Sequence, residues 1–164
     1  KNIVLRNLGN GRFADVSEAC GIRLLPDHSA RGAAFDDLDN DGDLDVVVLN
    51  HRERPTVLRN VLNESGSQNH WIQLCLQGVK TNRDGVGARV KIVAGDLVQI
   101  DEVHSGRSYQ SHWGSRLHFG LGARDRVDRI EVRWIGGGVD VLENVPVDRL
   151  LAVGESRHRP SESP

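Results

Sequence analysis

The residues of this chain best equipped for chemistry lie between Phe35 and Asn50, FDDLDNDGDLDVVVLN, where Asp37, Asp39, Asp41, Gly42 and Asp45 form the pattern D-x-D-x-D-G-x-x-D. Carboxylates two residues apart on a tight loop can converge on one point, as a hard cation requires of oxygen ligands at about 2.3–2.6 Å. Gly42 supplies the turn. Without an ion the loop is costly, because like charges a few ångströms apart repel; with an ion the balance reverses. A charge run ordinarily means a solvated acidic face, but a random acidic cluster has no reason to place Asp, Gly and Asp in this order.

All-oxygen ligands on a flexible loop suit Ca²⁺, whereas Mg²⁺ prefers a near-octahedral site that keeps several waters. Zinc favours nitrogen and sulfur. An EF-hand would need Glu at the twelfth loop position, counted from Asp37, and that position is Val48. The β-branched run Val46 to Val48 also reads as a strand rather than an exiting helix. The expected cofactor is Ca²⁺, on a short loop that ends in a strand.

The surrounding chain must position that loop. It has 164 residues, enough for one domain or two small ones, and a net charge of −2 with acidic and basic residues interspersed. No basic face suggests nucleic acid, and no apolar run is long enough to span a bilayer. Eighteen glycines, short alternating runs and regular turn signals predict an all-β protein. Cys20 and Cys75 are too few for a disulfide framework; pairing and buried free thiols both remain open.

Ile3 to Leu8 reads as a strand, Gly9 to Gly11 as a turn, and Phe13 as a return to the core. Asp15 to Gly21 predicts a single helical turn capped by Ser17 and stopped by Gly21. Strands are expected at Ser29 to Phe35 and Asp45 to Asn50. VLRN at residues 4–7 returns within TVLRN at residues 56–60, 53 residues later, a period of propeller-blade size. Polar Asn60 to Gln68 marks a linker. Beyond it Trp71 to Leu76 alternates like a half-buried strand, with Ile72, Leu74 and Leu76 on one face and Trp71, Gln73 and Cys75 on the other. The glycine cluster at residues 81–90 precedes a strand and lacks Gly-Lys-Ser/Thr, so it predicts a turn rather than a phosphate loop. Further strands are expected near residues 98–103, 118–121, 127–134 and 139–142.

Two resemblances follow from these motifs. VLRNLGNGRF (residues 4–13) with AAFDDLDNDGDLDVVVLN (33–50) resembles the FG-GAP or VCBS repeat of integrin-like β-propellers. That resemblance implies calcium ligation by the Asp37, Asp39, Asp41 and Asp45 side chains and the Asp43 backbone carbonyl, with further repeats upstream as partners. NHWIQLCLQG (69–78), TNRDGVGARVKI (81–92), EVHSGRSYQS (102–111), LHFGLG (117–122), VDRIEVRWIGG (127–137) and VLENVPVDRLLAVGE (141–155) resemble the ASPIC/UnbV domain of the cartilage acidic protein family and bacterial homologues. One departure is Ile135-Gly136, where that family usually has Pro-Ser. The implied fold is a partial β-propeller repeat over residues 1–62, a linker at 63–69, a small antiparallel β-sandwich-like ASPIC/UnbV domain at 70–155 and a disordered tail at 156–164.

The seven histidines are scattered, with no paired spacing for a metal, and neither cysteine sits in an electropositive run. The segment SGRSYQSHWGSR makes Arg107, Tyr109, His112 and Trp113 a candidate interaction surface for a protein or a glycan, although Tyr109 and Trp113 read first as core or edge residues. The expectation is a calcium-binding module of adhesion or interaction type, secreted or at the cell surface, extracellular or periplasmic, in which calcium is structural and catalysis is absent. The alternative makes the ASPIC/UnbV domain an enzyme or an enzyme's accessory domain on a calcium-stabilised scaffold.

Overall fold

The computed structural model describes residues 2–22 and 27–156. The chain is all-β. In the first part, β1 (Leu5–Gly9) and β2 (Arg12–Asp15) form an antiparallel ribbon, and β3 (Ala30–Asp36), β4 (Asp45–Asn50) and β5 (Thr56–Leu58) form an antiparallel sheet in that order. The ribbon turns through Asn10 and Gly11, both at positive φ. Val46 and Val48 on β4 meet Phe35 and Ala33 on β3, so the β-branched run does form the strand that leaves the acidic loop.

Two local expectations are corrected here. Phe13 does not return to a core: it is 60 % exposed, because β1 and β2 pair only with each other and no described sheet covers their apolar side chains. Ser17 is not the helical cap: its hydroxyl accepts the Val4 N–H at 2.9 Å, while Asp15 Oδ1 takes the Ser17 N–H at 2.9 Å. The predicted turn itself is present, with the Cys20 N–H donating to Val16 O at 3.0 Å and Gly21 at φ +70°.

The second part stacks two sheets. One has the order β11 (Val139–Pro146), β10 (Arg126–Arg133), β7 (Arg89–Ala94), β8 (Leu97–Glu102); the other has β12 (Arg149–Gly154), β6 (His70–Gln77), β9 (Leu117–Gly122). Alternation drives the stacking. Ile72, Leu74 and Leu76 of β6 and Leu117, Phe119 and Leu121 of β9 meet Val90, Ile92 and Ala94 of β7 and Ile130 and Val132 of β10 in one buried cluster. Each large side chain there contributes on the order of 1.5–3 kcal/mol by leaving water. The β7–β8 hairpin turns at Gly95 and Asp96, and the glycine cluster forms a strand-to-strand turn in which the Gly87 N–H donates to Val103 O at 2.7 Å.

One pair breaks the antiparallel rule: β12 runs parallel to β6. The chain reaches it by crossing from one sheet to the other at Val147 and Asp148. Asp148 adopts φ +57°, gives its N–H to Trp71 O at 2.7 Å and accepts the Trp71 N–H on its side chain at 3.2 Å. Just past β12, buried Glu155 accepts the N–H groups of Val79, Lys80 and Thr81 at 2.8, 2.8 and 2.9 Å. These bonds, with that of Thr81 first, outweigh burial and pull its carboxyl down to about 2. The cysteines are both free, with Cys20 exposed and Cys75 half-buried. Residues 157–164 of the expected tail lie outside the described residues.

Candidate metal centre

The acidic loop connects β3 to β4, and its backbone folds around its own carboxylates. Asp37, fully buried, accepts the Asp41 N–H at 3.1 Å and the Gly42 N–H at 3.0 Å. Asp41 accepts the Asp43 N–H at 2.8 Å. Asn40 and Gly42 adopt φ +59° and +95°, left-handed conformations that tighten the loop. One carboxylate oxygen from each of Asp37, Asp39 and Asp41 lies within 4.8 Å of the others.

Asp43 and Asp45 fall outside that group and face the chain that follows β5. Asp45 accepts the Leu38 N–H at 3.1 Å and the Asn60 N–H at 2.8 Å, closing the loop onto the residues after β5. Asp43 accepts the Asn63 N–H at 2.7 Å, and the Asn63 amide donates to Asp41 O at 2.9 Å. The polar segment read as a linker thus includes a 3-10 turn, Asn63–Ser65, that is tied to the loop.

The electrostatics of the loop fit a cation. Asp41 Oδ2 is buried and has no hydrogen-bond partner among the described residues. The Asp43 N–H acts to lower the Asp41 pKa, but burial and the charges of Asp39, Asp43 and Asp37 together raise it. Arg59 sits at the outer edge, 2.8 Å from Asp39 and 3.7 Å from Asp41, and lowers the Asp39 pKa through that hydrogen bond. A cluster of hard oxygens in which one buried carboxylate oxygen accepts no hydrogen bond among the described residues suits a divalent cation of the calcium kind.

The loop is also seated on the second part of the chain. Gln73, buried on β6, donates to Asp37 Oδ2 at 2.9 Å, and its amide lies 3.3 Å from His118 Nδ1. Arg116 pairs with Asp36 at 2.9 Å and donates to Asp37 O at 3.2 Å and to the Asn40 side chain at 3.1 Å. Trp71 stacks on His118 with ring centroids 6.0 Å apart, and the indole abuts Gly42 so closely that a Cβ there would lie 1.9 Å from Nε1. Burial lowers the His118 pKa against the pull of Asp37 and Asp36. β6 is therefore covered on both faces at Gln73, where alternation alone predicts one exposed face.

The candidate interaction residues divide. Trp113 is half-buried, edge-on to Phe35 at 5.7 Å, with the Arg107 guanidinium 5.7 Å from its ring. Ser108 beside them accepts the Ala33 N–H at 3.1 Å, so this segment closes onto β3. Tyr109 is 60 % exposed, and exposed His112 accepts the Gly106 N–H at 3.2 Å. Arg59, Asn63, Trp71, Gln73, Arg116 and His118 all touch the loop or its supports; Trp71 and Gln73 are expected in the sequence only as one face of a half-buried strand and His118 only among the scattered histidines, with no link to the loop. The closest signal was Arg59, which lies inside the repeated VLRN.

Comparison with known proteins places these observations. The family described as "ASPIC and UnbV" matches residues 78–160, and an FG-GAP-like repeat matches residues 1–48. Cartilage acidic protein 1 of Xenopus tropicalis is 27 % identical over 117 residues, covering 70 % of this chain. The chain spans 18 % of the length of that relative. No helix among the described residues is long and apolar enough to cross a membrane.

Proposed function

Because the chain belongs to the ASPIC and UnbV family and carries an FG-GAP-like repeat ahead of that domain, we propose that it is a calcium-loaded interaction module that works outside the cell. Calcium is held by Asp37, Asp39 and Asp41, with Asp43 and Asp45 organising the loop and supplying any further oxygens. Its role is structural: it neutralises the aspartates and fixes the loop on which β6 and β9 rest. Further propeller repeats precede the module in the longer protein, and its partner is an extracellular protein or a glycan. The observation that carries this reading is the convergence of three carboxylates, in which the buried Asp41 Oδ2 takes no hydrogen bond among the described residues and has the Arg59 guanidinium at 3.7 Å.

Binding of an ion to the folded state alone stabilises by RT ln(1 + [L]/Kd), about 1.4 kcal/mol when calcium is tenfold above its dissociation constant. For a chain of this size that corresponds to a melting shift of roughly 3–6 °C. The test is calorimetric titration with CaCl₂ together with thermal melts in calcium and in EGTA, on the parent and on Asp39→Ala and Asp41→Asn variants. The reading predicts heat of binding and a chelator-sensitive melting temperature that both variants lose. Identical parent melts with and without calcium, and no binding heat, would overturn it.

A further inference from the structure

Between the acidic loop and the second domain lies a cleft of about 420 Å³, whose lining comes from both parts of the chain. One wall is the stacked pair of Trp71 and His118, and Asn60, Asn63, Asn69 and Gly42 also line the cleft. No lysine or arginine lines it. We infer that this cleft is a binding site for a neutral sugar residue.

Four observations lead there. The volume falls in the range of small-ligand sites. The Trp71 indole N–H makes no hydrogen bond among the described residues, and Trp71 lines the cleft beside buried Gly42, so the lining residue keeps a donor to satisfy. The Asn69 side chain also makes none, which leaves an amide able both to donate and to accept, as vicinal hydroxyls require. Trp71 and His118 bring aromatic carbon to the lining, the kind of surface against which the C–H side of a pyranose ring packs. The absence of a lining cation and the nearby Asp43 disfavour carboxylated or sulfated ligands, which selects neutral saccharides over acidic ones. Asp148 holds the lining residue His70 at 2.6 Å and also accepts the Trp71 N–H at 3.2 Å, which preorganises this side of the cleft.

The inference rests on the interaction-module reading but not on the metal. The three tryptophans give three indole N–H cross-peaks in a ¹⁵N–¹H spectrum, and a Trp71→Phe variant identifies the one from Trp71. The ¹⁵N-labelled chain, with calcium present, is titrated with millimolar glucose, galactose, mannose and N-acetylglucosamine, each free and as the methyl glycoside, and with a sulfated heparin disaccharide. The Trp71 peak is expected to move with at least one neutral sugar and not with the sulfated one; movement with the methyl glycoside identifies the terminus of a glycan as a fitting ligand, and movement with the free sugar alone identifies a soluble sugar. Asn69→Ala, an exposed substitution that leaves the fold intact, should weaken that binding about two- to tenfold, the loss of one neutral hydrogen bond, with no change in melting temperature. The proposal fails if no neutral sugar moves the Trp71 peak, if the sulfated disaccharide moves it equally, or if Asn69→Ala binds like the parent. Calcium binding is read separately by calorimetry, so the two proposals fail in different experiments.

Discussion

Replacing Gly42 with alanine probes the seat of the acidic loop more directly than removing any carboxylate. The substitution carries two costs. At φ +95° an L-residue is strained by about 1–3 kcal/mol. The new methyl would also lie 1.9 Å from Trp71 Nε1 and 2.2 Å from Cε2, so the indole must slide away from the loop and from its stack on His118. Overpacking of that kind costs about 1–3 kcal/mol more. Gly136 separates the two contributions, because it adopts φ +93° with nothing within 4 Å of an added Cβ. Gly136→Ala should thus lose only the strain, about 1–3 kcal/mol, and Gly42→Ala roughly 2–6 kcal/mol. Urea unfolding in EGTA, followed by circular dichroism and tryptophan fluorescence, measures both without a metal contribution. Equal destabilisation by the two variants would refute the close seating of loop on indole.

Three further outcomes follow from the geometry. Gln73→Leu removes the donor to the buried Asp37 carboxylate and should cost about 1.5–3 kcal/mol in urea unfolding, since the bond is to a charged group; a cost below 0.5 kcal/mol would mean the amide is not anchored there. Phe119→Ala opens the sandwich core and should cost about 3–5 kcal/mol in the same assay. Glu155 is a carboxylate with a depressed pKa, so its contribution is fully present above its unfolded pKa near 4.5 and is lost as pH falls toward about 2. Acid unfolding of the parent should therefore steepen across that window, and a Glu155→Gln variant, which cannot titrate, should show a flatter profile there.

Much of this was legible because it is local. Alternation in WIQLCL, ARVKIV and LHFGLG marks strands whose inward faces become the core, and the spacing of Asp37, Asp39 and Asp41 marks carboxylates that do converge. What escaped depends on contacts between distant segments. Nothing near Gln73 in sequence says that the polar face of its strand will be covered by a loop 36 residues earlier. Period-two patterning predicts Phe13 inward, yet inward needs a second layer, and the β1–β2 ribbon has none among the described residues. Asn63 lies in a segment whose polarity and glycine read as a spacer, whereas its polarity serves the hydrogen bonds to Asp41 and Asp43. Arg116 sits in a glycine- and serine-containing stretch where a cation has no pattern to betray its partner, Asp36.

The parallel pairing of β6 with β12 bears on how the chain is made. β6 is the middle strand of its sheet, and both neighbours, β9 and β12, are encoded after it. Emerging from a ribosome, Ile72, Leu74 and Leu76 have no edge partner until β9 appears, and Arg149 must close a loop of 77 residues to reach Ile72. Contacts of such separation form slowly and leave apolar strands exposed in the interval. The bonds from Val79, Lys80 and Thr81 to Glu155 form only at the end of that interval. A nascent chain halted before Arg149 therefore presents β6 with one open, sticky edge, and the synthesis of β12 is the moment at which that edge is sealed.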